Sequence, residues 1–95
     1  MVIIGLTSCA VRLGPNQAFI DNLSFVPQTL VIKPSTTVTW TNNDNTIHTV
    51  TADFGEFSSE VLSPGDTFTL TFPNKGEFSY HRDIHNYMKA KLIVK

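Results

Sequence analysis

Thr67-Phe68-Thr69-Leu70-Thr71-Phe72 alternates apolar and hydroxyl side chains without a break. Successive side chains of a β-strand point to opposite faces, whereas a helix would scatter these residues around its surface. The segment therefore predicts a half-buried strand with Phe68, Leu70 and Phe72 inward and the threonines outward. Thr37-Val38-Thr39-Trp40-Thr41 repeats the pattern and places Val38 and Trp40 on the core face. Both runs draw on β-branched and aromatic residues, which suit a pleated, half-buried surface.

Further short strands are expected on either side. Ala18 to Phe25 is an apolar edge broken at Pro27, and Thr29 to Lys33 resumes it before Pro34. Asn42-Asn43-Asp44-Asn45, Ser63-Pro64-Gly65-Asp66 and Asn74-Lys75-Gly76 are turns by composition. His48-Thr49-Val50 resumes a strand, as do Phe78 to Arg82 and Ala90 to Val94. No stretch holds a helical period, though residues 52–62 have room for one short turn, and Phe54 and Phe57 are expected around the loop covering one end. Short strands separated by turn signals predict an all-β sandwich or barrel. Ninety-five residues make one domain with a single core.

The first residues stand apart. Met1 to Leu6 is apolar, and Leu6-Thr7-Ser8-Cys9 resembles a bacterial lipoprotein cleavage box, but the positive n-region and longer apolar stretch of a signal are missing. Residues 1–17 are expected as an extension or extra strand, ending near the Gly14-Pro15 turn, with residues 18–95 as the domain. Such a strand could pair with a second copy of the chain. Cys9 is the single cysteine, so an internal disulfide is excluded. Its readings are a buried thiol or a bridge between subunits. A net charge of −1 and only 16% charged residues leave no basic stripe for nucleic acid or an anionic membrane, and no apolar run is long enough for a membrane span.

The chemistry-bearing residues gather late in the chain: His81, Arg82, His85 and Met88, with His48 upstream. Phe78, Tyr80 and Arg82 share one strand face, so Arg82 leaves toward the core side while His81 looks to solvent. His48 shares a face with Val50, a core candidate. His48 and Arg82 are therefore expected to converge. Taken singly, His48 is a structural histidine, Met88 a core filler and Arg82 an ion-paired residue, with Asp83, Asp44 or Asp53 as partners.

The chain resembles a cupredoxin of the plastocyanin and pseudoazurin type from about residue 18 to residue 95. The likeness rests on Phe25-Val26-Pro27-Gln28-Thr29-Leu30, Thr37-Val38-Thr39-Trp40-Thr41-Asn42, His48-Thr49-Val50, Pro64-Gly65-Asp66-Thr67-Phe68, Gly76-Glu77-Phe78-Ser79-Tyr80 and Ile84-His85-Asn86-Tyr87-Met88. The resemblance implies a two-sheet Greek-key β-sandwich carrying one copper near one end, used for electron transfer with a redox protein partner in the periplasm or another extracytoplasmic space. Carried over by position, the copper ligands are His48, His85 and Met88. The family's cysteine falls on Arg82. Ser35, Asn86 and Ala90 also stand where the family often has Gly, Pro and Gly.

Blue copper depends on a thiolate bond that Arg82 cannot provide. A guanidinium held inside disfavours copper(II), whereas one carried to solvent leaves His48, His85 and Met88 as a three-ligand set. The resulting expectation is a copper-binding, non-enzymatic cupredoxin without a thiolate, whose site is non-blue or weak. The alternatives are a metal-free interaction module and an ordinary electron carrier whose cysteine has been replaced at Arg82.

Overall fold

The computed structural model describes residues 16–83 and 88–95. Its strands are β1 (Gln17–Asp21), β2 (Ser24–Val26), β3 (Thr29–Ile32), β4 (Thr36–Asn42), β5 (Thr51–Ala52), β6 (Thr67–Phe72), β7 (Gly76–His81) and β8 (Lys89–Val94). They form two four-stranded sheets, ordered β2-β1-β4-β6 and β3-β8-β7-β5. Each sheet is mixed: β1 runs parallel to β4 and β3 parallel to β8, and the other pairs are antiparallel. The expected all-β sandwich is what the chain forms. Of the expected N-terminal extension, positions 1–15 lie outside the described residues, and Gln17 already belongs to β1.

Alternation sets the layers. Val38 pairs with Leu70 and Trp40 with Phe68 across β4 and β6, while Thr37–Thr71 and Thr39–Thr69 pair on the outer face. The outer hydroxyls bond across the strands at 2.7 and 3.3 Å. Inside, Ala18, Ile20, Phe25, Val38, Trp40 and Phe72 of one sheet meet Leu30, Ile32, Ala52, Tyr80, Leu92 and Val94 of the other. Trp40 lies at the centre, with ring centroids 5.6 Å from both Phe68 and Tyr80 and 6.1 Å from Phe57. Its indole N–H donates to the Tyr80 hydroxyl at 3.3 Å, which satisfies a polar atom the core would otherwise strand. Burial pushes the Tyr80 phenol up to about 12, against a smaller opposing effect of that bond.

Turn chemistry agrees with the sequence. Pro64 and Gly65 occupy the centre of a turn in which Asp66 N–H donates to Ser63 C=O at 2.9 Å and Gly65 takes φ 88°, a left-handed conformation that glycine adopts freely. The edge over Ala18–Phe25 resolves into a tight hairpin instead of one strand. Its two turn residues, Asn22 and Leu23, have φ 53° and 59°, the twist that joins antiparallel strands closely.

Two expectations change in detail, and the short turn expected within residues 52–62 is present. His48 to Val50 is not a continuous strand: His48 makes an isolated bridge with Leu62, and the Val50 N–H goes to the Ser59 hydroxyl at 2.8 Å. Serine there supplies the acceptor that a ladder carbonyl would have given. Residues 52–62 contain one hydrogen-bonded turn, from Gly55 N–H to Ala52 C=O at 3.2 Å. Phe57 packs into the core, but Phe54 is 85% exposed, because Asp53 and Phe54 lie at the tip of that turn.

Candidate metal centre

One end of the sandwich gathers His48, Arg82 and Met88. His48 is fixed by paired backbone bonds with Leu62, at 3.1 and 2.7 Å. It is 1% exposed. Across the sheet, the Arg82 N–H donates to the Met88 carbonyl at 3.1 Å, one step beyond the last β7–β8 ladder pair, His81 and Lys89. This bond holds the two ends of the connection between β7 and β8 together. His85 belongs to that connection in sequence and lies outside the described residues, with Ile84, Asn86 and Tyr87.

Arg82 turns inward, as the face argument expects, and is 5% exposed. Its Nη2 donates to the Ile47 carbonyl at 2.7 Å, immediately before His48. The next residue along, Asp83, donates its N–H to the Thr49 hydroxyl at 2.8 Å. These bonds lace the segment 47–49 to the end of β7. His48 and Arg82 line one small cavity with Ile47, Thr49 and Val61, about 10 Å³ in volume. A volume of about 10–15 Å³ accommodates one water. The cavity wall is apolar, and the space is too small for an organic substrate.

Carboxylates in this region go to histidines. Asp44 Oδ2 lies 2.8 Å from His48 Nε2. Asp44 also accepts the N–H of Asn22 at 2.6 Å and of Leu23 at 2.9 Å, so it closes the β1–β2 turn as well. Burial raises the Asp44 carboxyl, but the bonds from Leu23, His48 and Asn22 outweigh it and hold the group below its ordinary value. His81 sits between Asp53, at 2.5 Å, and Asp83, at 3.6 Å. It is half-buried by this pairing rather than simply solvated. Asp44, Asp53 and Asp83, the expected partners of Arg82, thus each engage a histidine.

His48 Nδ1 is the informative atom. It is buried and has no hydrogen-bond partner among the described residues. With Nε2 facing Asp44, Nδ1 is the ring nitrogen left over. Met88 is 3% exposed; its carbonyl is bonded to Arg82, and it lines a separate cavity with Leu23, Ser24, Phe25, Gln28 and Lys89. An imidazole and a thioether are donors of the kind copper(I) takes, whereas an inward guanidinium opposes a divalent ion. Asp44 was legible as a turn residue. Its role on His48 was signalled only by the four-residue spacing between them, within an Asn-rich turn.

Comparison with known proteins bears on the family and the fold. The sequence profile of the Cupredoxin-like domain matches residues 14–94. Plastocyanin, chloroplastic, from Tetradesmus obliquus is 33% identical over 88% of this chain and 65% of its own length. Amicyanin from Paracoccus denitrificans is 28% identical over 79% of this chain and 61% of its own length. The chain thus spans less than two thirds of the length of either relative. A purple cupredoxin from Nitrosopumilus maritimus superposes with a TM-score of 0.75 at 28% identity, covering 83% of this chain and 98% of that one.

Proposed function

Because this chain belongs to the cupredoxin-like domain family, we propose that it binds copper on His48, His85 and Met88, without a thiolate, at the end of the sandwich where Arg82 turns inward. The buried Nδ1 of His48, without a hydrogen-bond partner among the described residues, carries this reading. His48 supplies an imidazole donor from the segment bridged to Leu62, Met88 a thioether from the start of β8, and His85 a second imidazole from the intervening connection. Arg82 stands in the position that cysteine holds in relatives. A unit charge about 4 Å from another costs or gains roughly 4 kcal/mol at an effective dielectric near 20, so a buried guanidinium weighs about twice as heavily against copper(II) as against copper(I). Two imidazoles and a thioether suit copper(I). When bound, copper supplies one-electron chemistry, and this site is weighted toward holding or delivering the reduced ion.

The reading places the protein in an electron-transfer lineage outside the cytoplasm, with a redox protein as partner and no catalytic role of its own. The residues before Gln17, where β1 begins, are assigned as an extension available for contact with a second copy. Among the described residues no helix is long and apolar enough to cross a membrane. The second reading, a metal-free interaction module, is favoured by one observation: the Arg82–Ile47 bond closes one wall of the cavity.

Competition titration with a copper(I) chelator separates the two. Loss of affinity in both His48→Ala and His85→Ala supports the copper site. Unchanged affinity in either variant rejects it.

A further inference from the structure

Each sheet ends in two edge strands, and three of these four edges are blunted. β2 has three residues and stops before Pro27, β5 has two, and β3 lies between Pro27 and Pro34. β6 differs. It runs six residues, Thr67–Phe72, with no charge, proline or glycine inside it. Among the described residues it pairs with β4 alone. An exposed edge of this kind is a template for another strand, because its outward N–H and C=O groups lack partners in a ladder.

Bonds at both ends of β6 fix which groups face outward. The Asn42 N–H donates to the Asp66 carbonyl at 3.0 Å, and the Ser35 N–H to the Phe72 carbonyl at 2.7 Å. Backbone groups alternate in direction along an antiparallel strand. The even-numbered residues therefore face β4, and Thr67, Thr69 and Thr71 turn their backbone groups away from it. All three threonines are exposed. On the inner face Phe68 and Leu70 are only half-buried, although both pack against the core.

The flanking charges say which strand fits. Glu60 and Asp66 line a groove with Thr67 and Phe68 at the start of β6. Lys75 follows its other end, and Thr36, the partner of Phe72, donates its N–H to the Lys33 carbonyl at 3.3 Å. All four charged residues are exposed. An antiparallel copy of β6 thus meets opposite charges at both ends, whereas a parallel copy meets like ones.

We propose that β6 pairs antiparallel with β6 of a second copy, about a twofold axis at Thr69, so that the sheets containing it become one continuous sheet. In that register Thr69 faces its counterpart and Thr67 faces Thr71, and every outward N–H and C=O is used. Threonine meets threonine on the outer face, as Thr37–Thr71 and Thr39–Thr69 already do within the chain. Phe68 comes beside Leu70 of the second copy, which covers both half-buried side chains. The contact is small, so the dimer forms reversibly.

Sedimentation velocity of the full chain at rising concentration, with amide hydrogen exchange on the same samples, tests the pairing. The sedimenting mass is expected to double, and exchange at Thr67, Thr69 and Thr71 to slow in step with it. Thr69→Lys sets two ammonium groups directly opposite each other and should leave a folded monomer. Lys75→Glu should weaken the dimer, and adding Glu60→Lys should restore it, a rescue that a fold defect would not give. A monomer at every concentration overturns the proposal; if its threonine amides are already slow, another segment of the same chain holds the edge. A dimer in which these amides exchange freely also overturns it, because the contact then lies elsewhere. The amide result in the parent chain decides even if Thr69→Lys fails to fold.

Discussion

The Arg82 guanidinium donates to the Ile47 carbonyl at 2.7 Å, so the charge proposed to replace the family's cysteine is bonded to the residue next to His48. This bond keeps the guanidinium at the site rather than letting the side chain carry it to solvent. Arg82→Cys removes the charge and supplies a thiolate. Copper(II) affinity should rise by about a thousandfold, which is roughly 4 kcal/mol at 1.4 kcal/mol per tenfold. An intense visible absorption should appear with copper(II). A colourless variant would show that the scaffold no longer aims this position at the metal.

Tyr80 gives the fold an alkaline limit. Its phenol is raised from 10 to about 12 by burial, so the folded chain keeps a proton that the unfolded chain releases from pH 10 upward. Stability is fully present below pH 10 and declines as pH rises toward 12. At about 1.4 kcal/mol per pH unit the loss approaches roughly 3 kcal/mol. Tyr80→Phe should flatten this decline while costing about 1–3 kcal/mol at neutral pH, because the Trp40 N–H loses its acceptor. Urea unfolding across the pH range measures both effects.

Two phenylalanines three residues apart should respond very differently. Phe57 contacts Trp40, Phe72 and Phe78 inside the core, whereas Phe54 is 85% exposed. Phe57→Ala is expected to cost about 3–5 kcal/mol. Phe54→Ala should stay within about 0.5 kcal/mol of the parent. Denaturant midpoints at constant slope distinguish them, and equal costs would contradict the placement of the turn at residues 52–55.

Ser35 occupies a left-handed conformation, φ 70°, and donates its N–H to Phe72 C=O at 2.7 Å. A left-handed residue with a Cβ carries about 1–2 kcal/mol of strain, and glycine loses about 0.5–1 kcal/mol of entropy on folding. Ser35→Gly should therefore stabilise the chain by about 0.5–1 kcal/mol. Thermal unfolding checks this, and a clear destabilisation would place a side-chain role on Ser35.

Much of this arrangement was legible in the residues. Thr67 to Phe72 and Thr37 to Thr41 declare their inward faces because the strand period is two, and the inward turn of Arg82 follows from Phe78 and Tyr80 by the same rule. The left-handed Leu23 was not legible. No local preference puts leucine in such a turn, and it is held by a carboxylate 21 residues away. Asp44 escaped for the same reason: composition marks it as a turn former, and only the fold brings the β1–β2 hairpin and His48 to it together. His81 seemed solvated because its neighbours in sequence do not include Asp53, which β5 pairing with β7 carries alongside.

The central claim is a copper site without a thiolate on His48, His85 and Met88. Titration of the metal-free chain with copper(I) and then copper(II), followed by visible absorption and electron paramagnetic resonance, tests it most directly. The account predicts saturable one-to-one binding of copper(I), weaker binding of copper(II), little colour and type 2 hyperfine splitting. Non-saturating uptake of both ions, or an intense thiolate band from the parent chain, would contradict it.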